Sequence, residues 1–150
     1  MSRPETSAEL SALYQELILD HYRRPRNKGT LENADASVEM KNPLCGDEIC
    51  LQVAFNGDSV CDLKFAGRGC SISQASASMM TQLLKGKTRA EIESIRQQFR
   101  ALMLGESSAA DDPQLGSLRA LSGVARFPAR VKCALLAWNA LDTALAQRDG

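Results

Sequence analysis

The chain has 150 residues, of which 44% are hydrophobic and 24% charged, a balance typical of a globular protein and not of a disordered one. Eighteen basic residues offset eighteen acidic residues, so the chain has no net charge that would attract nucleic acid or anionic lipid. No apolar run approaches the roughly 20 residues that span a bilayer, and no signal-peptide pattern follows the N-terminus. We therefore expect one domain over residues 1–150, located in the cytoplasm, that binds neither nucleic acid nor membrane.

The first half of the chain predicts a helix followed by a small sheet. Thr6 and Glu9 form a capping-box pattern, and apolar residues then recur at helical spacing until about residues 21–24. Alternating apolar residues predict strands over residues 38–41, 48–55 and 61–65. The turn pair Asn56-Gly57 separates the last two of these strands and indicates an antiparallel hairpin.

The second half of the chain predicts helices that cover this sheet. Thr88 and Glu91 form a second capping box, and Gly105 marks the end of the helix that follows. Residues 105–113 have the composition of an acidic loop. The predicted helices span residues 71–85, 88–105, 115–121 and 128–148. The expected fold is therefore α+β, a small antiparallel sheet of about three strands packed against helices.

Five cysteines carry most of the functional information: Cys45, Cys50, Cys61, Cys70 and Cys133. An odd number of thiols in a reducing compartment argues against a disulfide framework. Metal ligands, a nucleophilic thiol and buried apolar thiols are the remaining interpretations. Cys61 alternates with polar residues as Leu63 does, so we expect it to be buried, whereas Cys50 shares the polar face of its strand.

Three of the cysteines lie at a turn or near a helix start, with one aspartate close by. Cys45 lies in a turn two residues before Asp47, Cys70 directly precedes a helix, and Cys133 comes early in the last helix. A thiolate beside a carboxylate is repulsive unless a cation lies between them, and zinc suits three thiolates and one carboxylate. The cysteines are 25 and 63 residues apart with no CxxC pair, so this spacing leaves both a shared metal site and scattered structural thiols open.

Several motifs of the sequence, in the same order along the chain, resemble the IscU/NifU-N family of iron–sulfur cluster assembly proteins. These motifs are Asp20-His21-Tyr22 with Pro25-Arg26-Asn27, Asn42-Pro43 with Cys45-Gly46-Asp47, and Gly69-Cys70-Ser71-Ile72-Ser73-Gln74-Ala75-Ser76-Ala77-Ser78. The similarity extends from about residue 10 to 147. It implies an α+β fold with a small antiparallel sheet, which agrees with the periodicities.

Two features are similar to the SufU branch of this family. Lys132 precedes Cys133 where the scaffold branch has a histidine, and residues 105–126 resemble the branch-specific insertion. The resemblance implies zinc as the cofactor, with Cys45, Asp47, Cys70 and Cys133 as its ligands. It also implies that Cys45 accepts sulfur from a SufS-type, pyridoxal-phosphate-dependent cysteine desulfurase. A histidine of that partner would replace Cys45 on the zinc, and Gly46 would let the loop move.

The resemblance leaves three functions to compare. The first is a zinc-dependent sulfurtransferase that relays persulfide sulfur toward iron–sulfur cluster assembly, with the downstream SUF scaffold complex as a further partner. The second is a scaffold that holds a transient [2Fe–2S] cluster, and the third is a structural zinc module that only docks to a desulfurase. Arg130 is a candidate for steering Cys45, whereas His21, at a helix end, is expected to be a capping or packing group.

Overall fold

The computed structural model describes residues 7–44 and 46–149, with side chains from residue 11 onward. The elements, in chain order, are α1 (Ser7–Arg23), β1 (Ala36–Asn42), β2 (Asp47–Asn56), β3 (Ser59–Arg68), α2 (Ser71–Leu84), α3 (Arg89–Met103), α4 (Ser107–Ala110), a 3₁₀ segment (Pro113–Arg126) and α5 (Pro128–Asp149). Among these, no helix has the length and apolar character needed to cross a bilayer.

The three strands form an antiparallel sheet in the order β1-β2-β3. β1 pairs with β2 from Ala36, opposite Val53, to Asn42, opposite Asp47. Alternate residues of a strand face opposite sides of a sheet, and the buried set in β2 includes Ile49 and Leu51. α5 packs on β1 and β2, and α2 packs on β3. The expected α+β fold with a three-stranded antiparallel sheet is confirmed.

A buried cluster fixes α2 and α5 relative to each other. The Trp138 ring of α5 stacks on Phe99 of α3, with ring centroids 4.6 Å apart. Its indole Nε1 donates to the Ser76 Oγ of α2 at 3.2 Å, and that hydroxyl donates to the carbonyl oxygen of Ala134 at 2.7 Å. These bonds satisfy polar atoms within an apolar core and make the alignment of the two helices specific.

A β-bulge overturns the prediction that Cys61 is buried. Ala54 of β2 lies opposite Asp62, but the next residue, Phe55, lies opposite Val60, so Cys61 is an extra residue in β3. The side chain of Cys61 is exposed, and its thiol donates to the carbonyl oxygen of Ala54 at 3.4 Å. Val60 takes the buried position that simple alternation assigns to Cys61.

The helices predicted from the sequence agree with the structure, except near residue 110. The predicted capping box of α3 is confirmed, because Thr88 Oγ1 accepts from the Glu91 N–H and Glu91 Oε1 accepts from the Thr88 N–H. The capping box at Thr6 lies outside the described residues. The acidic segment 105–113 is not wholly a loop, since it contains α4, and the predicted helix 115–121 is part of the longer 3₁₀ segment.

His21 joins α1 to α2 in the interior. The residue is 2% exposed, and its Nδ1 lies 2.8 Å from the Ser78 Oγ, which also accepts the Arg26 N–H. Burial, which has the largest effect, and the positive charge of Arg26 together lower the pKa of His21 to about 4, although the negative charge of Asp20 opposes the shift. The ring is therefore neutral at pH 7, and the prediction that His21 is a packing group is confirmed.

Gly69 lies between the end of β3, the first turn of α2 and the start of β2, where there is no room for a side chain. A Cβ atom at position 69 would lie 2.5 Å from the Asp47 Oδ1 and 2.5 Å from the Ser73 Oγ. Neither atom is at the end of a long, flexible side chain, and both residues are buried. Only glycine therefore fits between the Asp47 carboxylate and the first turn of α2.

We predict that His21 makes the stability of the protein depend on pH between about 4 and 6.5. The unfolded chain binds a proton at His21 near pH 6.5, whereas the folded chain does so only near pH 4, so the free energy of unfolding decreases as the pH falls through this range. Urea denaturation at a series of pH values should give a shallower slope for His21→Gln than for wild type. Identical slopes for the two proteins would contradict this account of His21.

We also predict that Gly69→Ala destabilises the fold by about 1–3 kcal/mol, because the new methyl group displaces the Asp47 carboxylate or α2. Gly123→Ala is the matched control, since a Cβ at position 123 meets no atom within 4 Å. Urea denaturation at pH 7 measures both variants. Equal stability of the two variants would show that the contact at Gly69 is easily relieved.

Candidate functional site

Three of the predicted site residues meet at the end of the β1–β2 hairpin. One oxygen of Asp47 and the sulfur atoms of Cys70 and Cys133 all lie within 4.8 Å of one another. Asp47 is fully buried, Cys133 is 1% exposed and Cys70 is half-buried. Residues that are distant in sequence therefore form one compact group with a carboxylate and two thiols.

Asp47 is positioned by the start of β2. Gly46, the residue before it, has a φ of +70°, which glycine adopts without strain, and its N–H donates to the carbonyl oxygen of Asn42 at 2.9 Å. Asp47 then pairs with Asn42 across the hairpin. The short turn thus ends in a buried carboxylate that faces α2.

Cys70 caps the N-terminus of α2. Its backbone is extended, and its sulfur accepts the Ser73 N–H at 3.5 Å, as a capping oxygen would. The backbone N–H of Cys70 donates to the Asp47 Oδ1 at 2.8 Å, and its thiol lies 3.9 Å from the Asp47 Oδ2. The free amide groups and the dipole of the helix favour negative charge at this position.

Cys133 comes to the same place from α5. The helix begins at Pro128, and the Cys133 thiol donates to the carbonyl oxygen of Ala129 at 3.5 Å. Arg130 and Lys132, on the same part of the helix, are exposed. The bonds of Ser76 to α5, described above, fix the distance between the helices that carry Cys70 and Cys133.

The other two described cysteines, Cys50 and Cys61, do not belong to this group. Cys45 lies outside the described residues, so its predicted part in the site stays a prediction. Cys50 is half-buried, as expected, and its sulfur is 3.9 Å from the Ser37 Oγ on a different part of the sheet. Cys61 is exposed on the bulge of β3. Within the described ranges, the group that could hold a metal ion contains no histidine.

The site includes buried polar residues that the sequence analysis quoted within motifs but gave no role. Ser73 is fully buried, and its hydroxyl donates to the carbonyl oxygen of Cys70 at 3.1 Å. Asn42 and Gln74 are 8% and 3% exposed. The Asn42 Nδ2 and the Gln74 Oε1 have no hydrogen-bond partner among residues 7–44 and 46–149. The sequence feature that could have identified Asn42 is its position directly before Pro43-Leu44-Cys45-Gly46, because asparagine side chains often bond to the backbone of a turn.

The Asp47 carboxylate of this group has no oppositely charged side chain beside it among the described residues. Within the described part of the chain, Asp47 forms its side-chain hydrogen bonds with Cys70 and no ion pair with lysine or arginine. A buried carboxylate beside thiols becomes more unfavourable as the thiols ionise, unless a cation is bound between them. The group therefore has the composition and the charge of a cation site.

Comparison with known proteins agrees with the fold and with the motifs. The model of the family described as "NifU-like N terminal domain" matches residues 13–147. The chain is 49% identical over 144 residues to the zinc-dependent sulfurtransferase SufU of Bacillus subtilis, covering 96% of this chain and 97% of that protein.

Two further relatives carry the word scaffold in their names. The iron–sulfur cluster assembly scaffold protein IscU of Streptococcus pyogenes is 43% identical over 138 residues, which cover 92% of this chain and 86% of that protein. The crystal structure of a putative iron–sulfur cluster assembly scaffold protein for the SUF system from Fervidobacterium islandicum has a TM-score of 0.80 at 38% identity, and the match covers 93% of this chain and 99% of that one. The chain therefore belongs to the NifU-like N-terminal domain family of iron–sulfur cluster assembly proteins, as a SufU-like member.

Proposed function

We propose that the protein is a zinc-dependent sulfurtransferase that accepts persulfide sulfur on Cys45 and passes it toward iron–sulfur cluster assembly. The donor is a SufS-type cysteine desulfurase. The observation that carries this proposal is the convergence of Asp47, Cys70 and Cys133 at the end of the hairpin whose turn contains Cys45. The SufU relative that is 49% identical supports it by its name.

The described donor atoms fit zinc. Ligands about 2.0–2.3 Å from a tetrahedral Zn²⁺ are separated by roughly 3.3–3.8 Å, and the three atoms of this group already lie within 4.8 Å of one another. Cys45, Asp47, Cys70 and Cys133 would hold the ion. When bound, zinc keeps its cysteine ligands deprotonated at neutral pH and offsets their negative charge.

In the proposed transfer, three residues of the site stay in place and one moves. Asp47 and Cys70 are joined by a hydrogen bond, and Cys133 is held by α5, so these three keep their positions. Cys45 lies in a turn whose Gly46 is exposed and meets no neighbouring atom at its Cβ position. We propose that this turn moves Cys45 toward the donor while the other three residues stay in place.

The transfer itself is a thiol–disulfide exchange. The Cys45 thiolate attacks the terminal sulfur of the persulfide on the desulfurase, a new S–S bond forms, and the S–S bond of the donor breaks. The electron pair of the broken bond leaves on the desulfurase cysteine, which becomes a thiolate. The step needs no external oxidant or reductant, and release of the sulfur from Cys45 requires a thiol or another acceptor.

A second function has support from the relatives named as scaffolds. Three cysteines and an aspartate also suit a [2Fe–2S] cluster, and a carboxylate ligand would make such a cluster easy to transfer. The cluster would then be the cargo of the protein. Lys132 precedes Cys133 and is exposed, and a lysine ammonium group has no acceptor atom with which to bind this cargo.

Metal content distinguishes the two functions. We predict about one zinc per chain, no acid-labile sulfide and no visible absorbance in protein purified without added metal. Cys70→Ser and Cys133→Ser should lose most of the zinc, whereas Cys50→Ser, which lies outside the group, should retain it. Iron and sulfide in comparable amounts without zinc would instead support the scaffold function.

Sulfur acceptance tests the role of Cys45. We predict that Cys45→Ser lowers the protein's stimulation of a SufS-type desulfurase by at least about tenfold at low reductant, because the accepting thiolate is missing. Cys61→Ser, which removes an exposed thiol outside the group, is the control and should stimulate as wild type does. Full stimulation by Cys45→Ser would exclude Cys45 as the acceptor and favour a protein that only docks.

A further inference from the structure

The two edges of the sheet differ in what covers them. On the outer side of β3, residues 27–29 form backbone hydrogen bonds with Phe65, and residues 86–87 form them with Val60. Among the described residues, β1 pairs only with β2, and no loop pairs with its outer side. Within the described part of the chain, β1 is therefore the open edge of the sheet.

An open edge strand has backbone groups that can pair with another strand. Every second residue of such a strand directs its N–H and C=O groups outward, and β1 has seven residues, Ala36–Asn42. Charged side chains on an edge strand often prevent unwanted pairing. β1 has two of them, Glu39 and Lys41, and their order along the strand determines which partner strand they repel and which they attract.

Glu39 and Lys41 lie on the exposed face of β1. Their side chains are 64% and 61% exposed, whereas Ala36 and Val38, on the face against which α5 packs, are buried. Within one chain, the Lys41 Nζ lies 3.5 Å from a Glu39 oxygen and 3.9 Å from a Glu48 oxygen. Contacts between side chains this exposed contribute little, so both charges remain available to a partner.

The order of these charges favours one way of pairing two copies of β1. In a two-fold antiparallel pair centred on Met40, Glu39 of each copy lies opposite Lys41 of the other, on the same face. A pair centred on Glu39 or on Lys41 would place like charges opposite each other, which is destabilising. A pair centred on Val38 places neither charge opposite an opposite charge of β1. Of these registers, only the one centred on Met40 makes the strand complementary to itself.

We propose that β1 pairs with β1 of a second copy of this chain, centred on Met40, and so joins two three-stranded sheets into one of six strands. The pairing satisfies the outward backbone groups of β1 and places two pairs of opposite charges across the new junction. One strand pair is a small contact compared with the roughly 1,200–2,000 Å² of stable complexes, so we expect a weak dimer with a Kd of about 10–500 µM. This association is independent of the proposed sulfur transfer.

Exchange of the two charges tests both the pairing and its register. Sedimentation equilibrium of the purified chain, from about 10 µM to 1 mM and with a reductant to exclude disulfide-linked dimers, measures the association. Lys41→Glu and Glu39→Lys each place two like-charged pairs across the junction and should weaken the dimer by at least about tenfold. The double variant Glu39→Lys/Lys41→Glu restores opposite charges in the same register and should associate as wild type does.

A mixture of the two single variants gives a second measurement. Each single variant weakens its own dimer, but Glu39→Lys and Lys41→Glu present opposite charges to each other and should form mixed dimers. Glu106→Lys is the control, because it makes the same change in charge at an exposed residue before α4, which packs on α3 and the 3₁₀ segment. It should associate as wild type does. Thermal melting of every variant reports on the fold.

Three outcomes would overturn the inference. A wild type that stays monomeric up to about 1 mM would leave Glu39 and Lys41 as charges that only protect an open edge. A dimer that Glu39→Lys does not weaken would be held by another surface or another register. The same conclusion would follow if the double variant folded but failed to recover the association of wild type.

Discussion

The hydrogen bond from the Cys70 N–H to the Asp47 carboxylate connects the sheet to the helices at the functional site. It gives a fully buried carboxylate one strong donor, and it aligns the first turn of α2 with the start of β2. The bond forms only because Gly69 has no Cβ between the two groups. The position of the Cys70 sulfur, and hence the geometry of the whole group, follows from this contact.

The sequence predicts the elements of this arrangement better than it predicts their meeting point. Local signals were sufficient for the capping box at Thr88 and for the strands of the hairpin, because those features depend on neighbouring residues. The bulge at Cys61 was missed, since one extra residue in β3 shifts the alternation without changing its composition. The convergence of Asp47, Cys70 and Cys133 depends on how α5 packs against α2 and the sheet, so spacing alone left the metal site open and the family resemblance was needed.

Burying this group has a thermodynamic consequence. The buried Asp47 carboxylate forms no ion pair with a described lysine or arginine, so a negative charge on a neighbouring thiol would add a like charge in a poorly solvated place. Binding of a divalent cation reverses the sign of that interaction and releases the thiol protons. Under the proposed function, metal binding, thiol ionisation and folding of the hairpin end are therefore coupled.

Under the proposed function, a division between fixed and movable parts would let one site both hold a metal and offer a nucleophile. Asp47 is anchored by α2 and Cys133 by α5. Gly46, with a φ of +70° and no close neighbour, separates that turn from the anchored Asp47 that follows it. Under the proposed function, Cys45 can leave the group without disturbing the other three donors, whereas a scaffold would need all four to hold its cluster at once.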